Sequence, residues 1–400
     1  MTAPAQPKPS SKRTKVVMIV LGVVVAVALV AVVGTVVVHA SGTSDQAAPQ
    51  AKAVSHAQPS QASPRPAAPS AKPAAAPLAV ASISPAGGAT KVAVDAALTV
   101  TYTAPLTKAP PTPTLSPAVA GTWTRHGAAM TFTPSGGWLP FGTETVTVPT
   151  ATKPTTIRFI VQDGNQVRLE QMLAELKYLP LYVNPTTPLP RGITSTLAEE
   201  ATSVDAVRTS PEPGTMQWSW SHVPATLSAL WKPGHQTVMD QGAIMAFQSD
   251  HHLTMDGIAG PTVWHDLVAA IAARKTASHP YDYLVASKSR PETLTVYRDG
   301  KVIYRTLSNT GVPGADTQAG TFPVYSRFAS TTMSGTNVDG TKYVDPGIPW
   351  VAYFNGGDAV HGFVRPSYGF PQSNGCVELP VSNAKQVWQM DPYGTLVTVL

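Results

Sequence analysis

Cys376 is the only cysteine in the 400 residues, and it stands in Ser373-Asn-Gly-Cys-Val-Glu-Leu379, with His361-Gly362 fifteen positions upstream. A thiol near its ordinary pKa is mostly protonated at neutral pH and needs a partner to become a strong nucleophile. An imidazole can remove that proton and return it to a leaving amine, so this pair of residue types points to acyl transfer through a thioester. Gly375 leaves room for a substrate carbonyl, and the N–H groups of Gly375 and Cys376 are candidate donors to a tetrahedral oxyanion. A carbonyl at Gly362 would orient the ring by accepting from Nδ1. With a single cysteine no intramolecular disulfide can form, so a free thiol in an oxidising compartment calls for a chemical role. The alternative is an inert core cysteine.

Such a pair must be held by a domain, and from Tyr283 onward the chain reads as strands. Tyr283–Ala286, Thr293–Tyr297, Val302–Thr306 and Thr395–Leu400 are β-rich, and Arg298-Asp-Gly-Lys301 is a hairpin turn. His-Gly, a connecting loop and Ser-x-Gly-Cys-Val-x-Leu resemble the signature of the L,D-transpeptidase catalytic domain. Tyr283–Gly311 resembles that domain's opening strands, and Thr317-Gln-Ala-Gly-Thr-Phe322 resembles its Thr-Pro-x-Gly-x-Phe element. The resemblance spans residues 281–400. It implies Cys376 as acyl acceptor, His361 as general base, Gly362 as the backbone that orients His361, and Ser373, Asn374 and Gly375 around the oxyanion pocket. Two positions depart from the family pattern: Glu378 stands where many members carry Arg or another polar residue, which leaves open how a substrate carboxylate would be held, and Asn374 stands where many have His, which leaves the nucleophile–base pair in place. The polar, Gly-rich stretch Thr331–Tyr343 resembles a flap over the cysteine, with Met333, Tyr343 and Tyr353 as candidate substrate contacts.

The expected reaction is attack of Cys376 on the carbonyl between the third and fourth residues of a peptidoglycan tetrapeptide stem, release of D-alanine, and transfer to a side-chain amine as a 3→3 cross-link. Water as acceptor would make the chain an L,D-carboxypeptidase. Acylation by carbapenem-type β-lactams is a further expectation from the resemblance. A non-catalytic wall-binding protein is the rival reading; a sortase is disfavoured because the Thr-x-Thr-Cys strand followed by Arg is absent. No metal or organic cofactor is implied. His235, His251, His252 and His265 lack zinc-ligand spacing, and Asp240, Asp250 and Asp256 lack calcium-loop spacing.

The rest of the chain reads as export and display, in a multidomain, mainly β protein. Residues 1–15 are read as a cytoplasmic N-terminus. Val16–Val38 is an apolar run long enough for a transmembrane helix. Lys8, Lys12, Arg13 and Lys15 precede it, so the positive-inside rule places everything beyond it outside, in the cell-wall space. A cleaved signal ending near Ala40 is the competing reading. These four residues also account for most of the net charge of +5. No basic stripe interleaved with aromatics remains, which argues against a nucleic-acid partner.

Residues 39–77, rich in Ala and Pro, read as a semi-rigid spacer. Residues 78–162 alternate with period two between Gly/Pro turns and read as a small β-sandwich resembling bacterial immunoglobulin-like domains, with Trp123 and Trp138 in its core. Residues 163–276 read as mostly helical, with Leu169, Met172, Leu173 and Leu176 lining one helix over 167–179 and a polar insertion from about Asn184 to Gly214. Ala243–Leu267 resembles the second half of a peptidoglycan-binding-like helical repeat, so stem peptides and glycan are the expected partners.

Overall fold

The computed structural model describes residues 78–108, 110–151, 153–186 and 207–400. The expected cytoplasmic N-terminus, transmembrane helix and spacer (1–77) lie outside the described residues. Among the described residues no helix is long and apolar enough to cross a membrane.

Seven strands form the N-terminal sandwich: β1 (Val80–Ser84), β2 (Leu98–Tyr102), β3 (Thr114–Ser116), β4 (Gly121–His126), β5 (Ala129–Pro134), β6 (Thr143–Val148) and β7 (Thr155–Ile160). They make two sheets, ordered β1-β2-β5-β4 and β3-β6-β7. Alternate residues point to opposite faces of a strand, so Leu98, Val100 and Tyr102 of β2 meet Val146 and Val148 of β6 in one core. Trp138 is fully buried there, its indole N–H donating to the Ala96 carbonyl at 2.7 Å. Trp123 is partly buried and packs against the same core.

The middle region holds α1 (Gln166–Glu175), α2 (Ala225–Ser228), α3 (Val238–Asp250) and α4 (Pro261–Ala273), together with a two-stranded ladder of β8 (Leu181–Pro185) and β9 (Gly214–Trp218). Leu169, Met172, Leu173 and Leu176 are buried as the helical spacing requires. The first helix, however, ends at Glu175 rather than near 179, because Lys177 takes a left-handed φ of 69° before Pro180. The ladder was hidden from sequence because its strands pair across a long insertion with no local turn to announce them. Thr237 and Asp240 cap α3 reciprocally. The turn from α3 to α4 is fixed by the Gln248 side chain, which donates to Asp256 at 2.6 Å and accepts from the Gly257 N–H at 2.9 Å. Trp264 and Leu267 of α4 are buried beneath it.

The C-terminal domain comprises β10 (Tyr283–Ser287), β11 (Thr293–Arg298), β12 (Lys301–Leu307), β13 (Gly320–Pro323), β14 (Ser326–Thr336), β15 (Lys342–Asn355), β16 (Asp358–Gly362), β17 (Val377–Leu379), α5 (Val381–Val387) and β18 (Leu396–Val399). One sheet runs β12-β11-β10-β18-β13 and the other β14-β15-β16-β17. Leu284, Val296, Val397 and Val399 of the first and Ala352, Phe354, Val360, Val377 and Leu379 of the second share a core that Ala384 and Val387 of α5 join. Burying these apolar side chains at about 25 cal/mol per Å² fixes which face of the second sheet turns inward. The other face is thereby left for chemistry.

Candidate active site

Three neighbouring strands decide the site. In the second sheet β15 pairs β16 antiparallel, and β16 pairs β17 in parallel with His361 opposite Glu378. Val360, Val377 and Leu379 point into the core. Period-two alternation therefore sends Ala359, His361, Cys376 and Glu378 to the opposite face. Tyr353, opposite Ala359 in the ladder, joins them there. Cys376 lies in a small apolar patch with Met333, Val351, Tyr353, Ala359 and Phe363.

His361 is buried, and its Nδ1 lies 3.1 Å from the Gly362 carbonyl oxygen. A carbonyl only accepts, so Nδ1 carries the proton and Nε2 is left as the basic nitrogen. Burial holds the imidazole below its ordinary pKa; the Gly362 carbonyl and Glu378 oppose that shift, and Arg365 adds to it. The ring is neutral at pH 7 and able to take a proton.

The thiol is also neutral. Burial pushes Cys376 up to about 12; the Ala359 N–H pulls it down, while Asp358 and Glu378 raise it further. Burial thus favours the protonated thiol at rest, so a base is needed to take its proton as it attacks. Cys376 Sγ faces the Gly357 carbonyl at 3.7 Å. His361, two residues further along the neighbouring strand, makes no hydrogen bond to it in this resting arrangement. Such loosely aligned pairs tighten when substrate binds.

The loop before the nucleophile differs from the sequence expectation. Ser373 Oγ donates to the Cys376 carbonyl at 2.6 Å and accepts from the Gly375 N–H at 3.2 Å. The Gly375 N–H is thus engaged in holding the loop rather than open to an oxyanion. The Cys376 N–H has no acceptor among the described residues and is the donor that remains. Gly375 itself is required twice over: its φ is +115°, and a Cβ there would lie 2.4 Å from Asp358 Oδ1.

Asn374 turns away from the expected pocket and donates to Asn337 Oδ1 at 2.7 Å. Asn337 begins the tip of the flap, which is not an irregular loop but the far end of the long β14–β15 hairpin, closed by the Asn337–Thr341 turn. Alternating Ser/Thr residues give this polar segment enough strand character to pair. Tyr343 and Tyr353 lie close enough to Cys376 for its charge to raise both hydroxyls, although burial is the larger cause for each. The structure thus gathers Met333, Tyr343 and Tyr353 around the thiol.

Arg365 was not read from the sequence as a site residue. Its guanidinium forms a bidentate pair with Glu378 (2.8 and 2.7 Å), donates to the Gln372 carbonyl at 3.0 Å and lies 4.5 Å from the Phe363 ring centroid. It ties the His361 strand to the loop that carries Cys376, and it supplies a guanidinium although position 378 holds Glu. The signal was available: Arg365 is the only cation between His361 and Cys376. Asp358, three residues before His361, was missed as well; burial and the absence of an ion pair among the described residues leave its carboxyl raised.

Residues 281–399 match the family model described as the L,D-transpeptidase catalytic domain, and residues 74–170 match the bacterial Ig-like domain. Among solved structures, the catalytic domain of the E. faecium L,D-transpeptidase is 30% identical over 31% of this chain and 100% of that one, with a TM-score of 0.28. The same domain acylated by ertapenem is 31% identical over 31% and 100%, with a TM-score of 0.27. An L,D-transpeptidase from Mycobacterium smegmatis is 17% identical over 81% of this chain and 99% of that one, with a TM-score of 0.26. No curated protein matches the chain.

Proposed function

Residues 281–399 belong to the L,D-transpeptidase catalytic domain family and residues 74–170 to the bacterial Ig-like domains, and from that premise we propose that this chain cross-links peptidoglycan stems through a thioester on Cys376. The observation that carries the reading is the shared face of β16 and β17. It presents Cys376 beside a buried His361 whose Nδ1 is fixed by Gly362, leaving Nε2 free to act as base.

In the proposed cycle Cys376 Sγ attacks the carbonyl between the third and fourth residues of a tetrapeptide stem while His361 Nε2 takes the thiol proton. The Cys376 N–H faces the developing oxyanion. Collapse breaks the peptide bond, and the imidazolium gives its proton to the departing amine of D-alanine. A side-chain amine of a second stem then attacks the thioester, forming the 3→3 amide and returning the thiol. Water in its place gives the carboxypeptidase outcome. The strained carbonyl of a carbapenem is an electrophile for the same thiol. The apolar run at 16–38 supports a chain that works outside the cytoplasmic membrane, where its substrate lies.

The test is intact mass of the protein from Leu78 onward after incubation with a carbapenem, alongside Cys376→Ala. The expected result is a covalent adduct on the wild type alone, followed by stem turnover that the variant lacks. An adduct on both proteins, or turnover surviving in the variant, removes Cys376 from the mechanism. No adduct and no turnover on either would favour the wall-binding alternative, which purified sacculi can then test.

A further inference from the structure

A carboxylate beside a nucleophilic thiol works against it, because it opposes the negative charge that develops on sulfur. Asp358 stands in that position. Its Oδ1 lies over Gly375, at 2.4 Å from where a Cβ would be. The peptide groups on either side of it touch the thiol, Gly357 through its carbonyl and Ala359 through its N–H. Asp358 Oδ2 accepts a long 3.4 Å hydrogen bond from the Gln318 N–H, and the Asn355 side chain also donates to the carboxylate. Among the described residues no Lys or Arg forms an ion pair with it. Glu378, the other carboxylate that acts on the thiol, is by contrast neutralised by Arg365.

The surroundings of Asp358 suit a cation. Tyr325 is close enough for the Asp358 charge to raise its hydroxyl, after the effect of burial. The Tyr325 and Tyr353 ring centroids are 6.4 Å apart, and Phe328 meets Tyr353 edge-on at 6.2 Å. Tyr325 and Phe328 are exposed at 38% and 45%, although both are large aromatics. The Tyr325 hydroxyl donates to the Gly356 carbonyl, two residues before Asp358, and a half-buried carboxylate beside a partly exposed tyrosine ring attracts an ammonium group through the ion pair and the ring quadrupole.

We propose that Asp358, with the ring of Tyr325, receives the ammonium group of the acceptor stem beside the acyl-enzyme. The proposal rests on the reading of Cys376 as acyl carrier and adds to it the residue that selects an amine over water. Of the three N–H protons of the bound ammonium, one passes by way of His361 to the departing sulfur and one to bulk water. The third stays on the new amide. The C–N bond forms as the C–S bond breaks, and Asp358 is unchanged at the end.

The experiment uses a tetrapeptide stem with a free side-chain amine as both donor and acceptor, and reads the ratio of cross-linked dimer to hydrolysed tripeptide. Carbapenem acylation is timed separately by mass. For Asp358→Asn, acylation is expected to quicken, because the thiol loses a neighbouring negative charge. The dimer-to-tripeptide ratio is expected to fall about tenfold or more, with a raised KM for the acceptor. Asp358→Glu should restore part of the ratio. Should the Asn variant fail to fold, Tyr325→Leu carries the test, with a smaller fall in the same ratio expected. A wild-type ratio in a folded, acylating Asp358→Asn protein overturns the proposal. So does slower acylation in that variant, which would place the carboxylate on the donor side. A wild type that is not acylated at all is a different failure, that of the Cys376 reading.

Discussion

In the Ig-like sandwich the non-core faces of β2, β5, β6 and β7 carry threonines, and these meet across strands: Thr99 with Thr131 at 3.2 Å and Thr147 with Thr156 at 3.3 Å. In the second sheet of the catalytic domain the corresponding positions carry Tyr353, Ala359, His361, Cys376 and Glu378. Both regions obey the same alternation, with apolar residues on one face packing a core. They differ in what the open face holds. Threonines only stabilise the ladder, whereas a thiol and an imidazole on neighbouring strands make a reaction centre. Sheet architecture positions the groups, and residue identity on the face away from the core decides whether the sheet supports structure or chemistry.

The comparison can be broken most sharply at His361. His361→Ala should slow carbapenem acylation by about 10²- to 10⁴-fold, the range that general-base removal typically costs, while leaving the unfolding midpoint near that of the wild type. The wild-type pH profile sharpens the point. The rate should rise with pH through one inflection below pH 6.5, as the depressed His361 loses its proton, and then stay flat, because Cys376 sits up at about 12. A rate climbing tenfold per pH unit through pH 7–9 would mean that a free thiolate reacts instead.

The converse variant is Trp138→Ala, which empties the middle of the Ig-like core and should cost that sandwich about 3–5 kcal/mol. Calorimetry should report the loss, and acylation of Cys376 at a temperature where both proteins are folded should be unchanged. Arg365→Ala falls between the two, since it leaves Glu378 buried without its guanidinium. Arg365 is 28% exposed and Glu378 5%, so a destabilisation of about 2–3 kcal/mol is expected, below that for a fully buried pair. Denaturant titration measures that loss, and a slower acylation should accompany it because the guanidinium ties the two catalytic strands together.

The smallest effect is expected at Glu144, where the sandwich departs from its own rule. This carboxylate is buried on the core side of β6 without a hydrogen-bond partner among the described residues, and burial raises it to about 7. A carboxyl raised on folding favours the protonated form. Its penalty therefore appears as pH climbs above the unfolded value of 4.5 and is complete above about 7. Glu144→Gln should be as stable as wild type at pH 4 and more stable by about 1–2 kcal/mol at pH 8. Equal midpoints at pH 8 would show that the carboxylate has found a partner.

Much of this was legible in the chain. Cys376 and His361 stood out because a lone thiol in a Gly-rich motif, on a chain that reads as exported, has little reason to be there except to react. The sandwich core, the Leu169–Leu176 stripe and the C-terminal strands followed from local periodicity. Asp358 and Tyr325 escaped because nothing in their local spacing sets them apart from surface residues, and Arg365 because its one signal, a lone cation between His361 and Cys376, does not say which carboxylate it meets. The β8–β9 ladder escaped because its partners are far apart in sequence. Asn374 and Gly375 were read from sequence as residues around an oxyanion pocket; their hydrogen bonds to Asn337 and Ser373 were not legible, because both depend on how the loop folds back on itself and onto the flap.

Sequence by itself therefore determined which residues could react and which segments would be strand or helix, because residue chemistry and hydrophobic periodicity are properties of the local chain. Tertiary structure alone decided that Cys376 and His361 share a face, that both rest neutral, that Glu378 is answered by Arg365 and that Asp358 is not answered by any described cation. Those facts depend on strand register, on burial and on the distances between charges, and each arises only when segments distant in sequence pack together.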